Sequence, residues 1–299
     1  MQTSDHSTPT SLQLPYVQVQ DLRDQASGAL RRLYISHAGH PADGPAQRLL
    51  IVLDGNLSAL PAALMLQAHA DRSARIACGL PPCMVVGVGY PGVHFHDHAR
   101  RARDFLPALP PGRDAQAQAW DSGAADAFAD FLDGQLLPWL EAHQGSTLSD
   151  IGLYGHSYGG LFTLYKLLRQ PGRFHAFFSI SPSLWWAEGW LLTQLTEAGA
   201  RCRGRTVYLG IGADERALPG DDAQRVAQHA HRDVQGRFAQ LATELQSRTG
   251  AETRLQIETL AGEDHGSVIY PTLTRAVRWL TLAPPCAQNT TPDTDSPAL

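Results

Sequence analysis

The sequence predicts an α/β fold with a mostly parallel central sheet and helices on both faces. Three observations lead there. Short apolar runs alternate along the chain with helix-compatible stretches, the pattern of strand–helix–strand units. Some of these runs are apolar throughout, as strands covered on both faces are. The early ones also end in clusters such as Asp54-Gly55-Asn56 and Gly89-Tyr90-Pro91-Gly92, where a strand stops and turns.

In chain order, 29–36 is β-compatible, with Leu30, Leu33 and Ile35 as apolar anchors, and 49–53 and 84–88 read as buried strands. Residues 62–74 are rich in Ala and Leu and read as helix. Phe128, Phe131, Leu132, Leu136, Trp139 and Leu140 recur at helical spacing, predicting an amphipathic helix over 124–142. Then follow strand 150–154, helix 161–168, strand 176–180, helix 190–198 and strand 206–211. A long polar helix over 223–247, strand 254–259 and helix 270–280 complete the series. A flexible segment (1–15), one catalytic domain (16–283) and a disordered tail (284–299) rich in Pro, Thr, Asp and Asn are expected. The Pro- and Gly-rich stretch 106–122 is long for a loop and is a candidate wall of a site.

Composition excludes several classes. A net charge of −5 without a basic stripe gives nucleic acid nothing to bind. No apolar run approaches a membrane span, and the polar N-terminus lacks the apolar core of a secretory signal, so the expected location is the cytoplasm. The four cysteines, Cys78, Cys83, Cys202 and Cys286, have no zinc-ribbon spacing and are expected as buried or incidental thiols.

The chemistry centres on Gly155-His156-Ser157-Tyr158-Gly159, followed by Gly160. The string follows a strand and opens a helix, the context in which G-x-S-x-G holds a serine on a sharp turn. Such a turn lifts the hydroxyl clear of the sheet and leaves the Tyr158 N–H at a helix start, facing developing negative charge. A serine hydroxyl needs a base to take its proton. Of thirteen histidines, His265 in Gly262-Glu263-Asp264-His265-Gly266 lies beyond the last strand and before the last helix, the position such a base occupies. A carboxylate to orient it should follow strand 206–211, where Asp214 and Glu215 are both candidates. The turn after strand 49–53 offers Gly55 or Asn56 as a second oxyanion donor.

These residues carry a family resemblance. The 155–162 segment, Ser179-Ile180-Ser181-Pro182-Ser183-Leu184-Trp185-Trp186 and Leu53-Asp54-Gly55-Asn56 resemble the putative-esterase branch of the α/β-hydrolases. Within it, the chain is most similar to siderophore esterases that open the trilactone of enterobactin or salmochelin, and Arg101-Ala102-Arg103-Asp104-Phe105-Leu106-Pro107 is similar to an Arg-x-x-Asp-aromatic-x-Pro stretch of that family. The matches run in order from about residue 30 to 280. The resemblance implies an α/β-hydrolase domain without a large separate cap, a serine esterase working through an acyl-enzyme without a cofactor, and a catecholate siderophore, free or ferric, as substrate. It favours Glu215 as the acid, three residues after the strand-ending Gly212. It implies Arg101 and Arg103 at the mouth of the site and Trp185 and Trp186 along its wall, with a surface ion pair and core packing as the competing readings. General carboxylesterases or thioesterases of the S-formylglutathione hydrolase type share the same machinery, and a non-catalytic member of the fold is the further alternative. The resemblance does not extend to the cluster His94-Phe95-His96-Asp97-His98; H-x-H is a metal-ligand spacing, but a solvated polar loop is the expectation, with no metal bound.

Overall fold

The computed structural model describes residues 14, 16–38, 45–73, 81–108, 123–217 and 219–282. Most of the 106–122 stretch, most of the expected N-terminal segment, the tail, Cys78 and Cys286 lie outside them.

Eight strands form one sheet in the order β1-β2-β4-β3-β5-β6-β7-β8. They are β1 (Val17–Arg23), β2 (Leu30–Ala38), β3 (Arg48–Leu53), β4 (Cys83–Gly89), β5 (Asp150–His156), β6 (Phe174–Ile180), β7 (Thr206–Gly212) and β8 (Arg254–Leu260). From β4 to β8 every neighbouring pair is parallel; β2 is antiparallel to both β4 and β1. The expected mostly parallel sheet is present. The central strands are buried almost throughout, which is why they read as continuous apolar runs, while β8, at the edge, alternates.

Helices cover both faces. On one side α1 (Gly55–Ser73) and α9 (Ile269–Thr281) pack Ala62, Leu66, Leu273 and Val277 over Leu50, Val52 and Val85. The other side carries α2 (His98–Phe105), α3 (Ala125–Phe131), α4 (Leu137–Gln144), α5 (Tyr158–Arg169), α6 (Ala198–Cys202) and α8 (Val234–Arg248). Their Phe105, Phe128, Phe162 and Leu241 share a core with Leu49, Ile51 and Leu153. Cys83 and Cys202 are buried in these cores, which pushes their thiols up to about 12 and about 11.

Four expected helices differ in detail. The first begins at Gly55 rather than residue 62, directly after Asp54. Helix 124–142 is three pieces: α3, a π-helical turn (Leu132–Leu136) and α4. Pro138 has no N–H and its ring crowds the carbonyl four residues back, so the helix widens just before it. Residues 190–198 lie mostly in a 3-10 segment (Trp186–Glu197) kinked by left-handed residues at Ala187, Glu188 and Gly189. The long polar helix is α7 (Ala223–Arg232) and α8, broken at Asp233, whose φ of 41° interrupts the first and whose side chain caps the second. The sequence reading also passed over β1 and α2 as elements.

The sheet positions the site. Asp54 follows β3, Ser157 follows β5, Ser181 and Ser183 follow β6, Glu215 follows β7 and His265 follows β8. All five strands are parallel, so these residues gather beyond the same carboxyl edge, the place where open α/β sheets bind ligands.

Candidate active site

Ser157 occupies the single residue between β5 and α5, with φ 58° and ψ −116°, a backbone conformation that costs a non-glycine residue on the order of 1–3 kcal/mol. Hydrogen bonds hold it there. Its N–H donates to the Ile180 carbonyl (2.9 Å), and its carbonyl accepts from Leu161 (2.9 Å) and Ser183 (3.2 Å). Two glycines make the turn possible. A Cβ at Gly155 would lie 2.1 Å from the Gly159 carbonyl oxygen, and one at Gly160 would lie 2.6 Å from that of Ile180. Ser157 lines a cavity of about 590 Å³ together with Ser183, Trp185, Glu215 and His265. Its hydroxyl hydrogen-bonds the Ser183 hydroxyl at 3.2 Å.

His265 lines the same cavity, on the loop between β8 and α9. Its Nδ1 is 2.6 Å from Glu215 Oε2. The other carboxylate oxygen accepts from the Gly212 N–H (2.9 Å) and from the Ser181 hydroxyl. Glu215 is buried and its loop is tied to the histidine loop by Ala213 N–H to Leu260 O (2.9 Å) and Asp214 N–H to Glu263 O (3.0 Å). Asp264 closes the histidine turn by accepting the N–H groups of Gly266 and Ser267, both at 2.8 Å, and these bonds hold its carboxyl below the ordinary value. Behind His265 lies His156, the ring centroids 4.5 Å apart. Burial above all, with Arg101 and the His265 ring nearby, pushes the His156 imidazole well below 6.5, so it is neutral at pH 7. Of the two candidate acids, Glu215 touches the imidazole. Asp214 instead pairs with Arg216 at 3.3 Å.

The turn after β3 abuts the serine turn: a Cβ at Gly159 would sit 3.5 Å from Leu53 Cβ and 3.6 Å from an Asp54 carboxylate oxygen. Asp54 has φ 52°. Gly55 and Asn56 open α1, where first-turn N–H groups have no acceptor within the helix. Gly55 cannot be larger, since a Cβ there would be 2.6 Å from the Gly87 backbone. The Asn56 side chain is engaged elsewhere, donating to the Tyr90 and Val93 carbonyls (2.9 Å each) and accepting from the Tyr90 N–H (2.7 Å).

Arg101 is not at the mouth. It is buried and forms a bidentate pair with Asp54, both contacts 2.8 Å. The cause is helical: α2 turns Arg101, Ala102, Asp104 and Phe105 inward together. Arg103, partly exposed, meets Asp104 at 3.4 Å, and neither arginine lines the cavity. Trp185 is a wall residue; Trp186 is buried in the core, edge-on to Trp190 at 6.1 Å. His94 and His96 lie in an irregular turn and His98 begins α2. No group of three His, Cys, Asp or Glu among the described residues is placed to hold a metal ion.

Sequence reasoning passed over Ser181, Ser183, the Asp54–Arg101 pair and the wall formed by α7. The two serines stand directly after a strand on the functional edge, which was the available signal. Arg232 and its neighbours gave none, because 223–247 read as one uninterrupted helix.

Comparison with known proteins fits this geometry. Residues 39–256 match the family model described as "Putative esterase". The siderophore enterobactin esterase of Emericella nidulans is 28% identical over 262 residues, 80% of this chain and 84% of that protein. The ferri-bacillibactin esterase BesA of Bacillus subtilis is 25% identical over 292 residues, covering 93% and 95%. Among solved structures, the siderophore hydrolase EstB from Aspergillus nidulans shares the fold with a TM-score of 0.76 at 24% identity, covering 92% of this chain and 98% of its own. The chain thus belongs to the family described as "Putative esterase", has the α/β-hydrolase fold, and is a hydrolase acting on ester bonds.

Proposed function

We propose that Ser157 is the nucleophile, His265 its general base and Glu215 the acid that orients the base. The observation that carries this is a serine in left-handed backbone at a strand-to-helix turn, sharing a cavity with a histidine whose Nδ1 is held by a buried carboxylate. With Nδ1–H donated to Glu215, Nε2 is the nitrogen free to accept a proton. Ser157 Oγ attacks the ester carbonyl carbon as its proton passes to Nε2. The negative charge on the former carbonyl oxygen is met by the N–H of Tyr158 and that of Gly55 or Asn56. Collapse of the adduct breaks the C–O bond, and the leaving alkoxide takes the proton from His265. Water then attacks the acyl-enzyme, giving its proton to His265, and Ser157 regains a proton as the acid departs. Every step is proton transfer and acyl transfer, so no cofactor is required.

The substrate is a siderophore ester, with a catecholate trilactone as the preferred form and the ferric complex as a further candidate. The relatives named as enterobactin and ferri-bacillibactin esterases, each aligned over at least four fifths of this chain, support that assignment. We place the protein in the cytoplasm; no helix among the described residues is long and apolar enough to cross a membrane. Incubation with free and ferric enterobactin, followed by mass spectrometry, tests the assignment. Linear products, absent with Ser157→Ala, are expected. Intact trilactone in both samples contradicts the substrate.

A further inference from the structure

One wall of the cavity comes from α7. Arg225, Gln228, His229 and Arg232 lie at the i, i+3, i+4 and i+7 positions of one helix face, and all four line the cavity. The charges around this cavity are nearly all matched internally. Arg216 pairs with Asp214 at 3.3 Å and Arg225 with Asp221 at 3.2 Å. Glu215 is taken by His265 and Gly212, Asp264 by two main-chain N–H groups, and Asp222 by the Arg225 N–H at 2.7 Å. Arg232 is the exception: among the described residues it has no carboxylate partner, and its guanidinium carbon lies 4.4 Å from the centre of the Trp185 ring.

Stacking on an indole uses the flat face of a guanidinium and leaves its N–H donors pointing outward in the plane. Trp185 is half-buried, lies beside Tyr158 at 6.1 Å between centroids, and follows the Ser181–Ser183 turn, so its position is fixed relative to Ser157. A planar fork of donors held this way matches two oxygens in one plane, as carboxylates present them.

We infer that Arg232, held over Trp185, recognises a carboxylate with its two oxygens in one plane, the group that hydrolysis of one ester of a trilactone leaves on the ring-opened chain. This deepens the esterase reading by assigning the group that a first hydrolysis exposes, and it rests on that reading for its connection to catalysis. Binding itself does not require Ser157 to react.

Benzoate and benzamide have the same shape and differ in charge and in one oxygen, which makes them the probes. Their dissociation constants are measured on the full-length Ser157→Ala protein by ligand-observed NMR titration to tens of millimolar. Benzoate should bind at least about tenfold more tightly than benzamide, the margin of a charge-assisted fork. Arg232→Met should abolish that preference. Arg232→Lys should leave less than about a threefold preference, because a point charge replaces the fork. Trp185→Leu should weaken benzoate binding by freeing the guanidinium. Equal binding of the two probes, no detectable benzoate binding, or a preference that survives Arg232→Met overturns the inference; a lysine variant equal to the arginine protein overturns its bidentate form. Wild-type hydrolysis of 4-nitrophenyl butyrate is followed separately. Loss of the esterase reading would appear there, with the benzoate preference intact.

Discussion

Replacing Glu215 by Gln tests whether its carboxylate orients His265 or merely packs beside it. The change is nearly isosteric, and the structure dictates which way the new amide must face. Glu215 Oε1 accepts the Gly212 N–H at 2.9 Å, a main-chain donor that cannot reverse its role. The glutamine oxygen must therefore occupy that position, and its NH2 must face His265 Nδ1, where the carboxylate now sits at 2.6 Å. An NH2 there requires Nδ1 to accept, which places the ring proton on Nε2 and removes the site that should receive the Ser157 proton. The corresponding tautomer error in other serine hydrolases lowers kcat about 10⁴-fold, equivalent to about 5.4 kcal/mol at 1.36 kcal/mol per tenfold. The assay is kcat/KM for 4-nitrophenyl butyrate, with circular dichroism and thermal unfolding to establish that the variant is folded. Asp214→Asn, which alters a carboxylate paired with Arg216 instead, should lose less than about threefold. Folded Glu215→Gln protein within tenfold of wild type, or an Asp214→Asn loss of the same size, would refute the reasoning.

Two further outcomes follow from buried charge. Arg101→Met strands the Asp54 carboxylate in the interior and should destabilise the fold by about 3–5 kcal/mol in denaturant titrations; adding Asp54→Asn should recover part of it. His156 is held neutral in the folded state with its pKa well below 6.5, so below that pH the unfolded chain binds a proton that the native chain does not. Its contribution is present above pH 6.5 and is lost as pH falls, by up to about 1.4 kcal/mol per unit. The slope of stability against pH below 6.5 should flatten in His156→Asn, measured by urea unfolding; an unaltered slope contradicts the assigned burial effect.

The sheet and the serine turn were legible because local chemistry dictates them. Short continuous apolar runs such as 49–53 and 84–88, each closed by a turn cluster, suit strands covered on both faces, and Gly155 and Gly160 stand where any side chain would strike a carbonyl. Chain order picks out the loops that carry Glu215 and His265, but it leaves Asp214 and Glu215 equally placed, and only the family resemblance favours Glu215. What failed depends on contacts distant in sequence. Nothing around Arg101 announces that Asp54, 47 residues earlier, will draw its guanidinium inward, and a Trp-Trp pair does not say which ring faces solvent. Asp233 looked like any polar residue of a helix; its left-handed backbone ends α7 and sets that helix apart as a cavity wall. Pro61 sits inside α1, where proline ordinarily argues for a boundary, and the helix begins seven residues before its Ala- and Leu-rich part at residue 62.

Covalent capture at Ser157 tests the central claim most directly. Wild-type protein treated with a fluorophosphonate should gain one adduct, mapped by peptide mass spectrometry to Ser157, with esterase activity falling in step; Ser157→Ala should neither label nor turn over substrate. Folded wild-type protein that stays unmodified, or a Ser157→Ala variant that retains activity, would contradict the account.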